Sequence, residues 1–138
     1  MAVGILLVTH EGVASALSAA ARHVLARLPD TLDLFEVAAA TDPERALADA
    51  AHHARDLDRG DGVLVLSDLY GATPCNVAQR LRERGARVRC VAGLNLPMLL
   101  RVLNYAERPL DELAEIAASG GRGGIVPDGV APSGPGRG

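Results

Sequence analysis

Residues 5–17 read ILLVTHEGVASAL. The run from Val3 to Val8 is continuously apolar and partly β-branched, the pattern of a strand covered on both faces. From Val13 the period changes: Val13, Leu17, Ala20, Ala21, Val24, Leu25 and Leu28 recur every three or four residues. That spacing predicts an amphipathic helix ending before Pro29. A buried strand passing through a short turn into a helix is the first half of a β-α-β unit, and His10 stands where the strand runs out.

The same alternation continues. LDLFEV (32–37) predicts a second strand nearer a sheet edge. Asp42, Pro43 and Glu44 supply an N-cap, a first-turn proline and a first-turn acid for a helix with its stripe at Leu47, Ala50, Ala51, Ala54 and Leu57. GVLVLS (62–67) predicts a third strand, and Thr73 and Pro74 open a helix that runs through Val77, Ala78 and Leu81 to a terminal glycine at Gly85. RVRCVAG (87–93) predicts a fourth strand, with helices after it from Pro97 to about Ala106 and from about Leu110 to Ser119, stopped by Gly120 and Gly121. RGGIVP (122–127) predicts one short C-terminal strand.

Four strand–helix alternations imply a doubly wound, mainly parallel α/β sheet with right-handed crossovers and helices on both faces, in the order 2-1-3-4. Residues 1–126 form one domain on this reading, and the Pro/Gly-rich residues 127–138 a disordered tail.

Composition narrows the function. The chain has 138 residues, 49% of them hydrophobic, enough for one core. Only 2% are aromatic, so Ala, Leu and Val must build that core. All fourteen basic residues are Arg, which excludes a lysine Schiff base and a Walker lysine. A net charge of -3 and the shortage of stacking aromatics argue against a nucleic-acid partner. Cys75 and Cys90 have neither redox-pair nor metal-ligand spacing. Two unpaired thiols, no signal-like leader and no apolar run approaching about 20 residues point to a soluble cytoplasmic protein without membrane insertion.

In an open α/β sheet, ligands bind beyond the carboxyl ends of the strands, where the strand order reverses. THEG, SDLYGATPCN and GLNLPM fall at those ends, and the order 2-1-3-4 sets His10 and Asp68 across one crevice. Alone, His10 reads as a loop residue and Asp68 as a turn residue. Together they make a nucleophile or base: a carboxylate accepting from one ring nitrogen fixes the tautomer and leaves the other free. Gly71 permits close backbone approach, and Thr73 reads as the cap of a helix whose free N–H groups suit an anion. Asn95 reads either as a further phosphate contact or as the cap of the helix entered at Pro97. His23, His52 and His53 lie within helical patterns and read as surface residues.

ILLVTHEGVASAL (5–17), GVLVLSDLYGATPCNVA (62–78) and VAGLNLPMLLRVL (91–103) resemble, in order and spacing, the signature blocks of the mannose-family enzyme IIA components of the bacterial phosphoenolpyruvate-dependent sugar phosphotransferase system. The resemblance implies a phosphotransferase in which His10 accepts a phosphoryl group from the phosphocarrier HPr, with Asp68 hydrogen-bonded to it and Thr73 as the motif hydroxyl. It further implies transfer to a IIB protein or domain, expected to be a separate protein because no IIB sequence follows residue 126, with no cofactor or metal, and a homodimer in which strand 122–127 can be exchanged. The chain departs from the family pattern at Cys75 and at Glu11 and Gly12, where bulky aromatics are common.

Rival readings use the same residues. A cysteine phosphatase would need Cys-x5-Arg, but CNVAQR puts Arg80 one residue too close to Cys75. A receiver domain would need an acidic pair after the first strand and a lysine. A regulatory module switched by phosphorylation of His10, or the phosphocarrier subunit of dihydroxyacetone kinase, would keep the same histidine and differ in what reads the phosphate.

Overall fold

The computed structural model describes residues 2–129. Its elements alternate as β1 (Gly4–His10), α1 (Val13–Leu25), β2 (Leu32–Val37), α2 (Pro43–Leu57), β3 (Val63–Ser67), α3 (Thr73–Gln79), β4 (Val88–Ala92), α4 (Leu96–Asn104) and α5 (Leu110–Gly123). All pairings are parallel and the order is β2-β1-β3-β4. The sheet order and the helices on both faces are those expected from the sequence.

Side-chain alternation splits the core into two layers. Ile5 and Leu7 of β1, with Leu64 and Leu66 of β3, face α1, α4 and α5. Leu6 and Val8, with Val63 and Val65, face α2 and α3. Both sets are buried, which explains why β1 and β3 read as unbroken apolar runs. α1 approaches the sheet on Ala14 and Ala21, two turns apart, whereas Val24 of the expected stripe is 58% exposed. Alanines let the helix lie close to the strands.

Two boundaries differ from the sequence expectation. The helix opened by Thr73 changes after Gln79 to a tighter 3₁₀ segment, Arg80–Arg84, before Gly85 ends it with φ 78°. At the other end of the chain, Gly120 and Gly121 do not stop α5, which continues to Gly123. Both glycines are buried, and a Cβ on Gly120 would lie 2.8 Å from the Arg101 Cβ of α4. They are contact surface for α4 rather than a stop signal.

The C-terminal strand expected at 122–127 is therefore not formed. Its first residues are helical, and the sheet has four strands among the described residues. Residues 130–138 of the expected tail lie outside the described residues. No described helix is long and apolar enough to cross a membrane.

Alanine normally outscores glycine inside a helix by roughly 0.5–1 kcal/mol. At Gly120 the close contact with α4 reverses the sign, so Gly120→Ala is expected to destabilise the fold by about 1–3 kcal/mol in urea unfolding.

Candidate functional site

His10 is the last residue of β1 and Asp68 the first after the neighbouring β3. One carboxylate oxygen, Asp68 Oδ2, accepts from the His10 backbone N–H at 3.1 Å and lies 2.8 Å from the ring Nδ1. An ionised carboxylate only accepts, so the proton of a neutral ring belongs on Nδ1 and the Nε2 lone pair is free. The imidazole is 48% exposed, whereas the aspartate side chain is 12% exposed. The charge is sheltered while the ring is presented to solvent.

Two helices begin beside this pair, and their first turns are treated differently. The cap position of α1 is Gly12, which has no side chain to offer. Thr9 and Glu36, register partners on β1 and β2, replace it from the sheet. Thr9 Oγ1 accepts from the Ala14 N–H at 3.0 Å while donating to the His10 carbonyl at 2.8 Å. Glu36 Oε2 accepts from the Ser15 N–H at 2.8 Å and the Ser15 hydroxyl at 2.7 Å. The Ser15 hydroxyl, then the backbone amides of Ser15 and Gly12, holds the Glu36 carboxyl below the ordinary carboxylate range. The positive end of α1 is thus occupied by the protein's own acid.

The start of α3 has no such occupant. Its cap position is Ala72, with no side-chain cap. Thr73 is not the capping residue expected from the sequence: it is the first helical residue, exposed, with its hydroxyl in no hydrogen bond. The first-turn amides of Thr73 and Cys75 lack partners within the helix, as first-turn amides do. Gly71 is exposed with φ 85° and open space around its Cα, and its carbonyl accepts from the Asn76 amide at 3.3 Å.

Asn95 is drawn into the fold instead. Its Oδ1 accepts from the Met98 N–H at 2.9 Å, capping α4, and its Nδ2 donates to the Gly121 carbonyl at 3.1 Å. Oδ1 and one N–H of the amide serve the fold, which is the capping role expected from the sequence. Glu11 turns sideways, its Oε1 accepting from the Ala39 N–H at 3.4 Å.

The remaining candidates lie elsewhere. Cys75 is 2% exposed, which removes the nucleophile a phosphatase needs. Burial pushes the Cys90 thiol up to about 11, and it donates to the Ala78 carbonyl at 3.3 Å. His52 is exposed on α2. His53 is more engaged than a surface residue: its Nδ1 lies 2.7 Å from Asp33 Oδ2 and its ring 5.3 Å from that of Phe35. Asp33 stands near the start of β2, the opposite end of the strand from the register partner of His10, and this contact pins α2 to the sheet edge. No cluster of three His, Cys, Asp or Glu side chains suited to a metal occurs among the described residues. Two surface cavities, of about 370 and 280 Å³, are lined by α4–α5 and β4–α5 residues, and His10 lines neither. Leu69 and Tyr70, which follow Asp68 in the chain, are 59% and 76% exposed.

A family model described as PTS system fructose IIA component matches residues 4–118. The chain is 37% identical over 71 residues to the PTS system mannose-specific EIIAB component of Escherichia coli (strain K12), covering 50% of this chain and 22% of that one. It is 38% identical over 64 residues to the PTS system fructose-specific EIIA component of Bacillus subtilis (strain 168), covering 46% and 44%. The match thus spans less than half of each curated relative. Among solved structures, a mannose/sorbose specific IIA subunit from Enterococcus faecalis superposes with a TM-score of 0.84 at 27% identity, covering 95% of this chain and 98% of that one. Component EIIA from Streptococcus agalactiae gives a TM-score of 0.80 at 21% identity over 91% and 96%, a likeness of fold.

Removing the Glu36 clamp tests the capping geometry. Glu36→Ala is expected to cost about 1 kcal/mol at neutral pH. The folded-state pKa lies below the unfolded one, so the contribution is full above the ordinary carboxylate range and fades as pH falls through the depressed value. Urea unfolding of both proteins should show their difference shrinking in acid.

Proposed function

The chain belongs to the EIIA-man family of phosphotransferase-system IIA components, and on that footing we propose that it is a cytoplasmic phosphocarrier that bears the phosphoryl group on His10. The carrying observation is the contact between Asp68 Oδ2 and His10 Nδ1, which leaves Nε2 as the free nucleophile. Phospho-HPr is the donor on this reading. Nε2 attacks phosphorus in line, the new N–P bond forms as the bond to the donor histidine breaks, and the donor ring recovers its neutral state after proton exchange. Asp68 offsets the positive charge that develops on the His10 ring. In the second half-reaction a nucleophile on a IIB protein or domain attacks the same phosphorus and His10 returns to its neutral form.

Such transfers rest on positioning and electrostatics. The open first turn at Thr73 and the unhindered backbone at Gly71 support the binding of phosphate oxygens, with the exposed Thr73 hydroxyl as an additional donor. The half-exposed ring on open surface suits a protein-borne donor better than a small molecule in a cleft. Leu69 and Tyr70 give that donor an apolar rim to rest on. Neither metal nor cofactor enters the scheme. A homodimer belongs to the reading as well, supported by the open edge of β4, which among the described residues pairs only with β3.

The test uses the full chain with phosphoenolpyruvate, enzyme I and HPr. An acid-labile, base-stable phosphate on His10 is expected, and His10→Ala should take up none; undiminished labelling of that variant contradicts the assignment. Asp68→Ala removes the one oxygen that accepts from both the backbone N–H and the ring Nδ1 of His10, so neither the tautomer nor the ring orientation is fixed. Quenched-flow labelling should show this variant slowed by about 10²-fold or more.

A further inference from the structure

Two buried polar atoms behind the His10–Asp68 pair have no hydrogen-bond partner: the hydroxyl of Ser67 and Oδ1 of Asp68. Ser67 is 1% exposed. A hydroxyl can donate and a carboxylate oxygen only accepts, so the two are chemical complements, and leaving either unpaired is unfavourable. The strand geometry sets them on one side of the sheet. Val8 and Ser67 are register partners, and Val8 and Val65 both pack into the α2–α3 layer. By alternation, Ser67 and His10 project toward that same layer from adjacent strands. Asp68 meets both the backbone and the ring of His10, so its carboxylate folds back over the face that Ser67 occupies. Oδ2 faces the imidazole, and Oδ1 is turned into the protein.

We propose that Ser67 is a positioning residue whose hydroxyl, after a rotamer change or through one bridging water, donates to Asp68 Oδ1 and thereby locks Oδ2 onto His10 Nδ1. A carboxylate held only through Oδ2 can swing about its Cβ–Cγ bond; one held through both oxygens cannot. Ser67 then acts through Asp68 on which ring nitrogen is protonated, without touching phosphate. The consequence for phosphoryl transfer rests on the function proposed above, whereas the effect on the ring does not.

Ring ¹⁵N shifts of His10 in the labelled, unphosphorylated full chain, above its titration, read the effect directly. The wild type should show a protonated Nδ1 and a bare Nε2. In Ser67→Ala both shifts should move toward the values of a tautomer mixture, and phosphorylation by phospho-HPr should slow about tenfold. Ser67→Thr, which keeps the hydroxyl, should restore the wild-type shifts, and Ser67→Val, its matched shape without the hydroxyl, should not. Stability gives a second readout. Deleting a hydroxyl that pairs with nothing leaves the unfolding midpoint unchanged or raises it, whereas deleting one that anchors Asp68 lowers it. Unchanged ring shifts in Ser67→Ala, or in Ser67→Val if the alanine variant does not fold, overturn the proposal. Failure of the wild type to accept phosphate would overturn the function and leave the ring result standing.

Discussion

The site depends on one acceptor serving two donors of the same residue. Asp68 Oδ2 receives both the main-chain N–H and the ring Nδ1 of His10, so backbone position and ring orientation are fixed by one oxygen. Only neighbouring parallel strands that end at nearly the same height can bring these groups together, and β1 and β3 do so because the order β2-β1-β3-β4 reverses direction between them. The fold's contribution to the chemistry is a crevice mouth where one carboxylate is sheltered and one imidazole is not.

Around that contact, the protein disposes of competing charges. The α1 dipole points toward the site but is capped by Thr9 and Glu36, side by side on β1 and β2, so it offers its first-turn amides to protein oxygens. α3 begins at Ala72 and Thr73 without a side-chain cap, so its first-turn amides have no side-chain acceptor. The acidic Glu11 is turned toward Ala39. Of the two helix starts that follow β1 and β3, one is capped by side chains and the other is not.

Much of this was legible in the sequence because it follows from period and punctuation. Apolar runs broken by His10 and by Asp68 mark the ends of buried strands, and the alternation of periods gives the sheet order that joins them. The missed features all depend on tertiary neighbours. Glu36 looks like an ordinary solvent-facing strand residue, and only the bare Gly12 cap hints that α1 needs an acid from elsewhere. Thr73 before Pro74 has the form of a cap, yet the chain enters the helix one residue earlier. Gly120 and Gly121 look like a stop, but α4 approaches closely at Gly120, where a Cβ would meet that of Arg101, and α5 runs on to Gly123, into the first positions expected to form a fifth strand. Asn95 carried two readings, and of these the structure shows the capping one, with the added contact to Gly121 that the sequence did not signal.

The nitrogen that bears phosphorus is the most direct measure of this account. If Asp68 holds Nδ1, phosphorus can bond only to Nε2. In the phosphorylated chain labelled with ¹⁵N in its histidines, ³¹P–¹⁵N coupling should appear at Nε2 of His10. Coupling at Nδ1, or at any other histidine, would contradict it.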